Sequence, residues 1–229
     1  MTRSPSPIGT SRQLRLDLGK TPSHERADFI VSACNRDAVA QVDAWPNWPG
    51  GRLALIGPAG SGKTHLARAW KARVGAQSPD IDGGESLSGN PILIEDADRR
   101  GADELIFHLF NMADVGASLL LTGRAPPAAW RARLPDLPSR LKALTVAVIG
   151  PPDDTVLFGV MMKLFSERNI RPTAGVPTYI MRRIERSVPA VQNVVRRIDE
   201  CAGAEKREVT LTLARQILED DDQILDGRR

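Results

Sequence analysis

The chain has 229 residues, a net charge of +3 and a pI near 9.1. Hydrophobic residues make up 41% and charged residues 26%, ordinary for a soluble globular chain, while aromatics at 4% leave an aliphatic core. No apolar run approaches the ~18 residues of a membrane span, and the N-terminus lacks an apolar secretory segment, so the expectation is a cytoplasmic protein with no membrane contact. Cys34 and Cys201 stand far apart without metal-ligand spacing and are expected as reduced thiols.

Residues 1–28 are rich in Pro, Ser, Thr and Arg and are expected to form a flexible arm. Within it, Gln13, Leu14, Leu16 and Leu18 form an apolar island. Leucines at alternate positions suit an extended peptide docking into an apolar pocket, although an edge strand or a chance cluster fits the same pattern. The apolar triplet Phe29, Ile30, Val31 precedes a predicted helix over 35–44 and a turn cluster over 45–51. An apolar strand, Leu53 to Ile56, then leads into Gly57-Pro58-Ala59-Gly60-Ser61-Gly62-Lys63-Thr64, followed by a helix over 65–73. This is G-x-x-x-x-G-K-[ST] in its strand–loop–helix context. The glycines let successive backbone N–H groups turn toward phosphate oxygens, and the helix N-terminus adds partial positive charge. Lys63 has the length to reach the β- and γ-phosphates, and the Thr64 hydroxyl suits Mg²⁺.

Residues 75–90 are polar, acidic and glycine-rich, with little room for a further strand and helix. Strand 91–94 ends on Glu95 and Asp96. A P-loop needs such acids on a neighbouring strand, Glu95 on the metal side and Asp96 orienting the attacking water. A helix over 102–115 and a strand over 117–122 follow, the latter closing on Thr122, either a polar group near the γ-phosphate or an ordinary strand-end threonine. Segment 125–140 is rich in Pro and Arg and ends on Arg140, either a surface charge or a finger reaching a neighbour's nucleotide. After strand 146–149 the strand signals stop. Four helices are expected over 153–169, 176–186, 188–204 and 211–218, with Asp154 or Thr155 and Thr210 as caps. The organisation is therefore an arm (1–28), an α/β domain (29–150), an all-α domain (151–219) and a solvated tail (220–229). Alternating strands and helices imply a parallel sheet between helical layers.

Together these residues resemble the DnaA branch of the AAA+ ATPases. Gly62-Lys63-Thr64-His65-Leu66 is similar to the P-loop ending of that branch. Phe29-Ile30-Val31 with Asn35-Arg36 resembles its adenine-surrounding segment, and Thr122-Gly123 with Pro126-Pro127 its first sensor. Leu134-Pro135-Asp136-Leu137 with Ser139-Arg140-Leu141 resembles the box that carries the arginine finger, and Gln13 to Leu18 a hexapeptide that binds the DNA polymerase sliding clamp. The resemblance implies an AAA+ sandwich with a small helical lid. It also implies ADP or ATP with Mg²⁺, held by residues 57–65 and by Phe29, Ile30 and Val31. As function it implies a regulatory homologue that docks on the clamp and uses Arg140 to stimulate ATP hydrolysis by the DnaA initiator. Replication initiation would be restrained, with DNA met mainly through the clamp and with self-association as a further option.

Four departures from the branch qualify this. The chain stops after the lid, and 75–90 is short, so direct origin recognition is not expected. Pro189 stands where the branch has a second sensor arginine, and Arg124 stands in place of the first sensor's acid. The resemblance thus supports nucleotide binding and lends none to hydrolysis by this chain. The alternatives are a helicase-loader-like ATPase, which expects a basic aromatic insertion that 75–90 is not, and a stand-alone P-loop enzyme, which expects an acceptor pocket.

Overall fold

The computed structural model describes residues 25–79, 91–99, 103–205 and 209–226. The island Gln13 to Leu18 and most of the polar segment 75–90 lie outside them. Four strands, β1 (Arg52–Ile56), β2 (Ile92–Ile94), β3 (Leu119–Gly123) and β4 (Thr145–Val148), pair in the order β2-β3-β1-β4, all parallel. Four helices accompany them: α1 (Arg36–Asp43), α2 (Lys63–Val74), α3 (Asp103–Asp114) and α4 (Leu137–Lys142).

Continuous apolar runs form these strands because both faces of the sheet are covered. Period-2 alternation divides each run between two cores. Leu53, Leu55, Leu93 and Leu120 pack with Val39, Val42, Leu66 and Trp70 of α1 and α2. Ala54, Ile92, Ile94, Leu119 and Leu121 pack instead with Ile106, Leu109, Phe110, Leu137 and Leu141 of α3 and α4. Trp70 anchors the first core, stacked on Trp48 at 5.1 Å and edge-on to Trp45 at 6.5 Å.

Four more helices follow: α5 (Asp154–Glu167), α6 (Val176–Met181), α7 (Val188–Glu205) and α8 (Leu211–Asp226). They bury a separate core of Leu157, Met161, Phe165, Val176, Ile180, Val191, Val195 and Ile198. This is the α/β sandwich and helical lid expected from the sequence.

Local details differ from the expectation. The cap of α5 is Asp153, whose carboxylate accepts from the Val156 N–H at 3.0 Å, and neither Asp154 nor Thr155 serves. Helix α6 stops at Met181 because residues 182–187 form the turn that brings the Ser187 hydroxyl to the Ala190 N–H. Helix α8 runs on to Asp226, where Ile224 and Leu225 repeat the spacing of Ile217 and Leu218. Helix α4 arises in a segment with no helical expectation: Pro138 is tolerated in the first turn, and Leu137 and Leu141 are buried one turn apart. The stretch expected as arm also ends sooner than residue 28. Arg26–Asp28 forms a 3-10 turn, with Arg26 paired to Asp43 of α1 and Asp28 to Lys163 of α5, each at 2.8 Å. No helix among the described residues is long and apolar enough to cross a membrane.

Candidate functional site

The glycine-rich loop leaves β1 between two neighbours. The Gly57 N–H donates to the Gly123 carbonyl at 3.3 Å on the β3 side. On the β4 side a Cβ at Gly57 would lie 2.3 Å from the Ile149 carbonyl oxygen, so only glycine fits. Gly60 and Gly62 have φ of +73° and +97°, the left-handed turn that delivers the chain into α2 at Lys63. The Lys63 Nζ donates to the carbonyls of Gly57 and Pro58, both at 2.8 Å. Burial pushes its pKa down. Asp96 and Asp98 oppose that shift, and Arg124 adds to it. Ser61 Oγ is buried without a hydrogen-bond partner among the described residues, and Thr64 is exposed in the first turn of α2. Inward backbone, a helix N-terminus, a lysine and an unspent hydroxyl fit a phosphate chain.

Beside the loop lies the turn after β2. Asp96 has φ +51°, and its N–H donates to Thr122 Oγ1 at 3.0 Å, while the Ala97 N–H donates to the Thr122 carbonyl at 2.7 Å. Thr122 is 2% exposed. From β3 its hydroxyl and carbonyl hold the Asp96 turn in place. Asp96 is exposed and acts electrostatically on Lys63, whereas Glu95 is engaged by Arg68 of α2 at 3.1 Å. Asp98 accepts the Arg124 N–H at 2.8 Å.

On the other side, the Phe29 ring meets the His65 ring edge-on at 5.4 Å and covers Gly62. Ile30 packs against Gly159 of α5, and Val31 is 43% exposed. Asn35 shapes this segment: its amide donates to the Ile30 carbonyl and accepts the Ser32 N–H, both at 2.9 Å. From the lid, Pro189 approaches Gly60, and Arg186 is paired with Asp154. Arg140 lies apart on α4. Its Nη1 donates to Asn111 at 2.9 Å and to Asp114 at 3.2 Å, and its guanidinium covers the Phe107 ring at 4.9 Å. The structure thus gathers residues 57–65, Phe29, Ile30, Thr122 and Asp96 about one loop, with Glu95 at its margin and Arg140 on another face. Sequence reading missed Arg68 and Asp98. The acidic run 95–98 signalled Asp98, but nothing local marked Arg68 as the partner of Glu95.

No protein-family model matches the chain. The chromosomal replication initiator protein DnaA of Flavobacterium psychrophilum is 24% identical over 251 residues, covering 95% of this chain and 52% of the relative. Domain III of Thermotoga maritima DnaA superposes with a TM-score of 0.70 at 17% identity, covering 87% of this chain and 97% of that one. The fold is that of DnaA domain III. Aquifex aeolicus DnaA bound to AMPPCP superposes with a TM-score of 0.64 at 19% identity, covering 81% of this chain and 67% of that one. The chain spans about half the length of the curated DnaA relatives it matches. It is similar in sequence to the DnaA replication initiator proteins and shares the fold of DnaA domain III.

Proposed function

We propose that the chain binds ADP or ATP with Mg²⁺ in the P-loop and restrains replication initiation as an Hda-type homologue of DnaA. The observation that carries nucleotide binding is Lys63, buried against the loop carbonyls at the N-terminus of α2. Residues 57–64 would hold the phosphates, and Phe29, Ile30, Val31 and His65 the base. Among the described residues no group of three or more His, Cys, Asp or Glu could hold a metal by itself. That suits Mg²⁺ carried mainly by phosphate oxygens, with Thr64 and one carboxylate, Glu95 or Asp96, completing the shell. Bound there, Mg²⁺ would neutralise charge on the phosphates.

In this reading Gln13 to Leu18 dock on the sliding clamp, and Arg140 completes the ATP site of a neighbouring DnaA. A planar, permanently charged guanidinium stabilises charge developing on the γ-phosphate, and in related GTPases such a group accelerates hydrolysis about 10³–10⁵-fold. Support comes from the position of Arg140 on a different face from its own loop, on a helix packed by Leu137 and Leu141. The test is single-turnover hydrolysis of ATP pre-bound to DnaA, with clamp-loaded DNA and this protein as wild type or Arg140→Ala. The variant is expected to lose the stimulation while keeping nucleotide and clamp binding. Equal rates would refute the finger.

A further inference from the structure

The lid carries an apolar groove that its own core leaves open. Helix α5 buries Leu157, Met161 and Phe165 inside the lid, yet Phe158 and Met162, one turn apart, stay 43% and 38% exposed. Both line a groove of about 600 Å³ between α5 and the segment 169–178, walled further by Ile170, Pro172 and Pro177. The groove arises because Asn169, at φ +55°, turns the chain out of α5, and α6 does not begin until Val176. Large apolar side chains left open beside a cavity mark a place where something docks.

The same chain supplies a matching occupant. Asp28 pairs with Lys163 of α5 at 2.8 Å and Ile30 packs on Gly159, so the described chain starts against the helix that builds the groove. Leu18 stands seven positions before Glu25, the first described residue, which allows a reach of at most about 25 Å. Phe158 to Phe165 span only about 10 Å of the helix axis. Leu14, Leu16 and Leu18 alternate, so an extended backbone turns all three to one side, the pattern an apolar groove accepts. Asp17, the acid among them, is opposite in charge to Arg171 at the groove's rim, which is exposed and has no ion pair among the described residues. We propose that Gln13 to Leu18 dock in this lid groove of their own chain and are thereby withheld from the sliding clamp. The bearing on the clamp rests on the reading of these residues as the clamp-docking segment. A short link gives the segment a millimolar effective concentration at the groove, so a weak contact suffices. Clamp affinity then falls with the fraction of chains whose segment is free.

The full chain with Leu14, Leu16 and Leu18 replaced by alanine keeps the groove and empties it. A fluorescent synthetic peptide of residues 11–20 is expected to bind this variant, and wild type about tenfold more weakly, in anisotropy titrations. Adding Met162→Asp should abolish that binding, with unchanged thermal melting as the check on folding at this exposed position. In the otherwise intact chain, Met162→Asp should tighten binding to purified clamp about fivefold by surface plasmon resonance, and Phe158→Ser should act alike. No peptide binding by the emptied variant, or equal binding by it and wild type, would overturn the inference. So would a wild-type dimer that Met162→Asp splits in light scattering, because the groove would then hold a second copy. Clamp affinity unchanged by Met162→Asp would overturn the withholding. The expected peptide results without clamp binding by either protein would uphold the lid docking and end the clamp reading alone.

Discussion

Lys63 carries the chemistry of the loop at the scale of a single residue. Its ammonium is held between two carbonyls and burial lowers its pKa below the ordinary 10.5, so the folded protein holds this proton less tightly than the unfolded chain. The sign follows from linkage: the cost of burying the charge is present at low pH and is relieved as pH rises through the lowered value toward 10.5. Anionic phosphates beside it would raise the pKa again. Nucleotide binding is therefore expected to take up protons at alkaline pH, increasingly as Lys63 begins to titrate. Calorimetry in buffers of different ionisation enthalpy measures this. Lys63→Ala should abolish the uptake and weaken both ADP and ATP by at least about tenfold. Unchanged affinity would exclude the loop as the nucleotide pocket.

The joint between sandwich and lid is decided at the scale of the element. Asp153 caps α5 through the Val156 N–H, and the Ser32 hydroxyl and backbone N–H groups also hold its carboxyl below the usual 3.8. A depressed folded-state value means that this support is present above pH 3.8 and fades as pH falls through the lower value. Asp153→Ala is thus expected to lower the melting temperature near neutral pH, and the gap from wild type should shrink in acid. A gap independent of pH would show that the carboxylate is not the stabilising group. Inside the lid, Phe165 is 1% exposed and contributes to all the packing around it. Phe165→Ala should cost about 3–5 kcal/mol in urea unfolding, the range for deleting a buried phenyl ring. A loss under about 1 kcal/mol would mean that the lid packs more loosely than the structure has it.

For the whole molecule, the proposed function separates three surfaces: the nucleotide loop, the face bearing Arg140 and the segment Gln13 to Leu18. Arg26 and Asp28 tether the start of the described body to α1 and α5. Replacing Gln13 and Leu14 by alanine should abolish binding to purified sliding clamp by surface plasmon resonance. Nucleotide affinity should not change, because a docking peptide depends on a few anchors of its own. Wild-type binding by the double variant would end the clamp-docking proposal.

The sequence alone determined what depends on near neighbours. Strand runs, helix periods and the glycine-lysine spacing are local patterns, and the sandwich, the loop and the lid follow from them. Helix α4 escaped because its signal is only Leu137 and Leu141 amid prolines and arginines, and burial beside α3 in the second core does the rest. The capping aspartate was misplaced by one residue, since three polar residues in a row, Asp153 to Thr155, offer equivalent caps until the backbone selects one. The site partners belong wholly to the tertiary structure. Strand pairing sets Gly123 against Ile56 and Arg124 beside the loop, β3 lends Thr122 to Asp96, and α2 turns Arg68 toward Glu95. Those residues are far apart in the chain, and the free energy that joins them is the burial of two apolar sheet faces, which no local window of sequence contains.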